Sequence, residues 1–152
     1  MFIHEDLYAQ ILQSMPIPCV DLVVTDHAGR ILLLRRRNEP MAGQWWFPGG
    51  RVLFGEPRSQ AAKRKLKEEC GLSQGDAFEE LGTFDWFFSF GEGQRVHSVT
   101  TLFKVIVDSM NDITLDQQSY EAHWDYPRDW LQTGLDPMML EGIAALGTDT
   151  LT

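Results

Sequence analysis

The chain has 152 residues, the length of one domain, and its 43% hydrophobic content with five Trp and nine Phe is ample for a core. A net charge of −9 opposes general adhesion to nucleic acid or anionic lipid, since those partners reward clustered cations. No apolar run approaches the roughly 20 residues of a membrane span, and MFIHEDLYAQ lacks the layout of a secretory signal, so a cytoplasmic, single-domain protein over 1–152 is expected.

In chain order, Leu7, Tyr8, Ile11, Leu12 and Met15 recur at three- and four-residue steps, which predicts an amphipathic helix over 5–14, within an N-terminal segment 1–15, ended by Pro16 and Pro18. Cys19 to Thr25 and Arg30 to Arg36 are β-rich runs around Asp26-His27-Ala28-Gly29, a hairpin pattern. Cys19 and Cys70 lack metal-type spacing and read as reduced, partly buried thiols. From Asn38 to Gly50, Pro40, Gly43, Pro48, Gly49 and Gly50 predict a loop without regular structure, anchored by Trp45-Trp46-Phe47. Pro57 suits a first helical turn and Gly71 the position past a helix end, which predicts a helix over 57–69. Gly82 to Phe90 and Val99 to Val107 read as strands joined by a turn at Gly91-Glu92-Gly93. Asp125 to Leu131 predicts a short turn or helix, and Asp136-Pro137 caps a last helix carrying Met139, Ile143 and Leu146. Interleaved strands and helices without repeats predict an α/β fold with a mixed sheet.

Positions 65, 68 and 69 share a broad helix face, because residues one apart lie about 100° round and residues four apart lie one turn along. Carboxylates grouped there suit Mg²⁺, a hard ion that prefers oxygen and shares substrate phosphates. The plain alternative is a solvated face of Lys63, Arg64, Lys65, Lys67, Glu68 and Glu69 with helical ion pairs, each worth roughly 0.2–0.5 kcal/mol. Against it stands the register of GRVLFGEPRSQAAKRKLKEECGL over 50–72, where Gly50, Glu56, Arg64, Leu66, Glu68, Glu69, Gly71 and Leu72 fall as in the signature box of the Nudix hydrolases. The segment resembles that loop-helix-loop box and departs from it at Lys65, where the family usually has Glu; the resemblance implies the α/β/α Nudix sandwich.

Within that superfamily, MFIHEDLYAQILQSMPIPCVDLVV and RRRNEPMAGQWWFPGGRV resemble the GDP-mannose mannosyl hydrolase branch, which is also altered at position 65. The resemblance implies hydrolysis of a nucleoside diphosphate sugar such as GDP-mannose to GDP and mannose, Mg²⁺ as cofactor with Mn²⁺ as a substitute, and a homodimer. It implies a metal held by Gly49, Glu69 and Gln118, with Glu68 beside them, Arg36, Arg51 and Arg64 around phosphates or bracing the box, and Asp21 near the sugar. Planar guanidinium donors meet phosphate oxygens in pairs, although alternate exposure along a strand lets at most one or two of Arg35, Arg36 and Arg37 face the ligand. The branch's general base is a His directly after the Gln ligand; here Ser119 stands there. His123, Glu121 and His97 remain as alternatives, and without a His base, attack at phosphorus is a second mechanism. Among the aromatics 45–47 and 86–88, Trp46 and Trp86 are taken as base-stacking side chains, with core packing as the alternative for about half. A nucleotide sensor that has lost catalysis is a third reading.

Overall fold

A computed structural model describes residues 2–73, 75–90 and 93–147. Helix α1 spans Glu5–Ser14, starting where His4 Nδ1 accepts from the Asp6 amide at 3.4 Å. It ends as expected before Pro16, and Met15 turns extended into strand β1, Ile17–Thr25. Strand β2 is Ile31–Arg36, and the expected hairpin with β1 is present but short, pairing Val24 with Leu32 and Thr25 with Ile31.

The rest of the β1–β2 pair splays apart. Strand β6, Gln94–Ile106, runs parallel along all of β1, so the other edge of β1 is shared by β2 and by β4, Gly49–Arg51. Likewise β7, Ser119–Asp125, lines one edge of β2, leaving the other to β1 and to β3, Trp45–Trp46. Segment 45–51 therefore fills the fork between β1 and β2. This corrects the expectation of a structureless loop over 38–50: the open edges of β1 and β2 supply partners that the local glycines and prolines do not advertise.

Strand β5, Asp76–Phe90, pairs antiparallel with β6 and begins earlier than the expected Gly82, because register shifts near Glu79 and Gly82 carry the strand through irregularities. Residues 91 and 92 of the expected Gly91-Glu92-Gly93 turn lie outside the described residues. Among the described residues the sheet has seven strands and mixes parallel with antiparallel pairs.

Helix α2, Arg58–Cys70, carries the box. Pro57 is its N-cap and not its first turn, a one-residue correction, while Gly71 closes it in the left-handed conformation at φ 71° with its N–H on the Lys67 carbonyl. Its inward face is Ala61, Ala62, Lys65, Leu66, Glu69 and Cys70, at three- and four-residue steps. Leu66 and the two alanines pack on Val20, Leu22, Leu34 and Phe103 in one core, where each fully buried large side chain contributes about 1.5–3 kcal/mol. A second core lies across the sheet, where Val23, Ile31, Leu33, Trp46, Phe47 and Trp86 meet Trp130 of α3, Pro127–Trp130, and Met139 and Ile143 of α4, Pro137–Ala144. Asp136 caps α4 through the Met138 amide at 2.9 Å, as its sequence predicts.

Candidate active site

The fork between β1 and β2 opens into a cleft of about 490 Å³, within the usual size for small-molecule sites. Asp21 of β1, Arg36 of β2, Gly49 and Arg51 of β4, Lys65 of α2 and Gln118 before β7 reach it from different elements, and Tyr8 and Leu12 of α1 close one side.

Gly49 is demanded by close approach. A Cβ there would overlap the Val20 carbonyl and lie 2.5 Å from Asp21 Oδ1. Its amide donates to Glu69 Oε2 at 2.8 Å, which ties the loop to the far end of α2. Glu69 is buried, and burial raises its carboxyl above the ordinary range against the lowering effect of Lys65 and the Gly49 amide. Lys65, exposed by only 6%, places Nζ 3.3 Å from Glu69 Oε1 and 3.3 Å from Glu68 Oε2. Asp21 is buried beside Thr100, whose hydroxyl donates to Oδ2. Burial pushes the Asp21 carboxyl up to about 8, with Thr100 opposing and the Glu69 charge adding, so it is neutral near pH 7. Arg36 is half-buried, and its Nε donates to the Pro40 carbonyl at 2.8 Å. Burial lowers its pKa while the charges of Glu69 and Asp21 oppose that fall.

Arg64 is the brace. Its Nε and Nη2 donate to Glu56 at 2.7 and 2.9 Å, Nη2 also to the Arg51 carbonyl at 3.0 Å, and Nη1 to Glu68 at 3.1 Å. Arg51 lies with its guanidinium 5.6 Å from the Tyr8 ring centroid, so α1 and β4 meet at the cleft wall.

Several expected site residues stand elsewhere. Trp86 is 1% exposed in the second core, stacked with Phe47 and Phe84, and does not line the cleft, whereas Trp46 and Phe88 do. Glu68 sits on the exposed flank of α2, held by Arg64 and Lys65, and is not at the cleft wall. Glu121 pairs with Arg35 at 3.3 Å, and His123 packs on Trp45 and Trp130; strand register sets both on the sheet face away from α2, outside the cleft lining. His97 is paired with Asp85 at 2.9 Å, also outside that lining. Ser119 is buried opposite Arg36. Of the three consecutive arginines, Arg36 alone lines the cleft; Arg35 stacks over Trp45 and Arg37 is exposed. Sequence reading missed Thr100, which looks like any β-branched strand residue, and Asp116, whose charge acts on Glu69 from the loop before β7.

Among the described residues no three His, Cys, Asp or Glu side chains are grouped to hold a metal ion. Glu69 is the box carboxylate tied directly to the cleft wall through the Gly49 amide, and Gly49 and Gln118 line the same cleft with neutral oxygens. That donor set suits one hard cation arriving with substrate phosphates, since Mg²⁺ commonly takes one or two carboxylates and leaves other positions to phosphate and water.

The sequence matches the NUDIX domain over residues 15–141. The chain belongs to the Nudix hydrolase family. The low-salt glycan biosynthesis protein Agl8 of Haloferax volcanii is 34% identical over 119 residues, covering 76% of this chain and 74% of that protein. An ADP-ribose pyrophosphatase of Methanocaldococcus jannaschii is 39% identical over 68 residues, 45% of this chain and 40% of the enzyme. Among solved structures, a MutT Nudix hydrolase of Burkholderia pseudomallei superposes with a TM-score of 0.74 at 23% identity, covering 88% of this chain and 100% of that one. The Nudix domain of Shewanella oneidensis NrtR, crystallised with ADP ribose, gives 0.72 at 23%, covering 95% and 97%. These likenesses establish the Nudix fold for the chain, with its mixed sheet between helices. Nudix hydrolases generally use divalent metals and nucleotide derivatives, and among the described residues no helix is long and apolar enough to cross a membrane.

Proposed function

We propose that this Nudix hydrolase cleaves a nucleoside diphosphate sugar, most like GDP-mannose, releasing GDP and the free sugar. The observation that carries the reading is the make-up of the cleft. Arg36, Arg51 and Lys65 offer cations to a diphosphate, Trp46 and Phe88 offer apolar ring surface to a base, and the neutral Asp21 carboxyl offers a hydrogen bond to a sugar hydroxyl. The relation to a glycan biosynthesis protein supports a sugar-bearing substrate.

In this reading Glu69, with Gly49 and Gln118, would hold one Mg²⁺, for which Mn²⁺ can substitute. Once bound, that ion would neutralise charge building on the departing diphosphate. The chain's own contribution is orientation. Arg36 and Arg51 hold the phosphates so that charge developing on the leaving oxygen meets fixed guanidinium groups, and α1 keeps bulk water from that side. Water oxygen bonds to the anomeric carbon, the bond from that carbon to the diphosphate oxygen breaks with its electron pair going to the diphosphate, and a water proton passes to solvent or a basic group. The exposed apolar residues Leu7 on α1 and Met15 just past its end, with no residue of the helix buried, support a homodimer formed through this segment.

A second reading, water attacking phosphorus to give a nucleoside monophosphate and a sugar phosphate, is favoured by the position of His97 and His123 outside the cleft lining. Hydrolysis of a panel of nucleotide sugars in ¹⁸O-labelled water separates the two. Label on the sugar is expected, label on phosphate would establish the second reading, and equal turnover by the native chain and Glu69→Gln would defeat both.

A further inference from the structure

We infer that Lys65 is a tethered cation, filling the place between Glu68 and Glu69 that a metal ion would otherwise take and offering its remaining donor to the substrate's diphosphate. Three observations carry this. The ammonium lies 3.3 Å from Glu68 Oε2 and 3.3 Å from Glu69 Oε1, so a single positive charge bridges the two adjacent carboxylates at the end of the box helix. The side chain is 6% exposed yet lines the cleft, so it is packed at the border of the ligand space and not loose in bulk solvent. Its path is shaped around Gly50, where a Cβ would come within 2.7 Å of Lys65 Cε. A freely solvated surface lysine needs none of these arrangements.

The chemistry follows from donor counting. An ammonium has three N–H donors and no acceptor, so two satisfy the carboxylates and one is left for an anion. A cation confronting this face must displace or repel a fixed positive charge a few ångströms away, in a partly desolvated site where such repulsion is weakly screened. The metal requirement should therefore shrink to the single ion delivered with the diphosphate, and the lysine supplies the second positive charge permanently. The diphosphate part of this inference rests on the substrate class proposed above; the metal part does not.

The test uses the full chain as native, Lys65→Glu, Lys65→Met and Lys65→Arg, with thermal melts to confirm folding. Mn²⁺ is titrated without nucleotide and followed by electron paramagnetic resonance. Lys65→Glu and Lys65→Met should each bind Mn²⁺ about 10-fold or more tighter than native, and Lys65→Met keeps the test open should the added carboxylate prevent folding. GDP binding is then measured calorimetrically in EDTA, where Lys65→Met should weaken it about 10-fold and Lys65→Arg should retain most of it. Native binding of Mn²⁺ as tight as in the variants overturns the cation replacement, and unchanged GDP affinity in Lys65→Met overturns the diphosphate contact. If native protein binds no GDP with or without Mg²⁺, the substrate class fails along with that contact, while the Mn²⁺ comparison still decides whether Lys65 excludes a metal.

Discussion

Replacing Arg64 should expose how the box is held together. Its guanidinium meets Glu56 through two nitrogens at 2.7 and 2.9 Å, the Arg51 carbonyl at 3.0 Å, and Glu68 at 3.1 Å. Buried charged hydrogen bonds contribute about 1.5–3 kcal/mol each, but the Arg64 and Glu56 side chains are 24% and 15% exposed and the Glu68 pair is a surface one, so the sum must be discounted. Arg64→Ala should then cost about 2–4 kcal/mol, and Arg64→Lys, which keeps charge without the fork, about half as much. For a domain of this length that is a fall in Tm of roughly 5–15 °C for the alanine variant. The hydrogen bonds from Arg64 hold the Glu56 carboxyl below its ordinary range. A depressed carboxyl stabilises above its unfolded pKa and loses that stabilisation as pH falls through the folded value. The gap between native and Arg64→Ala should therefore be full at pH 7 and shrink below about pH 4. Urea unfolding at pH 7 and pH 3 reads both quantities. An Arg64→Lys variant within about 0.5 kcal/mol of native at pH 7 would refute the bracing role.

Other substitutions probe the remaining joints. Glu69→Gln keeps an acceptor for the Gly49 amide but leaves the buried Lys65 with one carboxylate fewer, so it should fold with a stability loss of about 1–3 kcal/mol and lose turnover by roughly 100-fold or more in kcat, as checked by product release alongside a thermal melt. Gly49→Ala drives a Cβ into the Val20 carbonyl and Asp21 and should destabilise by about 1–3 kcal/mol while impairing activity more than stability, measured by denaturation and steady-state kinetics. Gly142→Ala on α4 would overlap Phe47 Cε2 and lie 2.9 Å from its Cζ, so it should cost about 1–3 kcal/mol in urea unfolding. For Asp26, burial pushes the carboxyl up but the amide, guanidinium and charge of Arg30 outweigh it and hold it low. Asp26→Asn should cost about 1–3 kcal/mol at neutral pH, and melts in acid should show the difference closing as pH drops below the ordinary carboxylate range.

The parts of the molecule that could be read from sequence are those decided locally. Pro57 and Gly71 bracket α2 within a residue because cap chemistry is written in adjacent positions, and Asp136-Pro137 marks α4 for the same reason. Segment 45–51 could not be read this way, since its strands exist only because β1 and β2 part after Val24 and Leu32 and leave open edges. Side-chain facing was hidden for the same non-local reason. Ala122 pairs with Leu34 of the first core and His123 with Leu33 of the second, so a shift of one residue in β7 would have exchanged which of them met the α2 side. Trp46 and Trp86 are both buried and in edge contact, yet Trp46 alone of the two borders the cleft, a distinction that composition does not carry.

The acidic chain and its arginine-lined cleft are reconciled by distance. A net charge of −9 is spread over the whole molecule, and at physiological ionic strength charges more than about 8 Å away are largely screened. The cleft itself is lined by Arg36, Arg51, Arg64 and Lys65 against the carboxyls of Asp21 and Glu39, and Asp21 is neutral near pH 7 because burial pushes it up to about 8. Arg64 and Lys65 are themselves paired with Glu56, Glu68 and Glu69, so the cleft wall carries its cations within a largely compensated network while the molecule as a whole is anionic. The buried acid that looks hostile to a diphosphate does not repel it until pH rises past about 8, when Asp21 ionises beside Gly49 and Arg36. On the proposed function, a small diphosphate that entered the fork would meet the guanidinium groups of Arg36 and Arg51 at contact range, where the distant acidic exterior is screened.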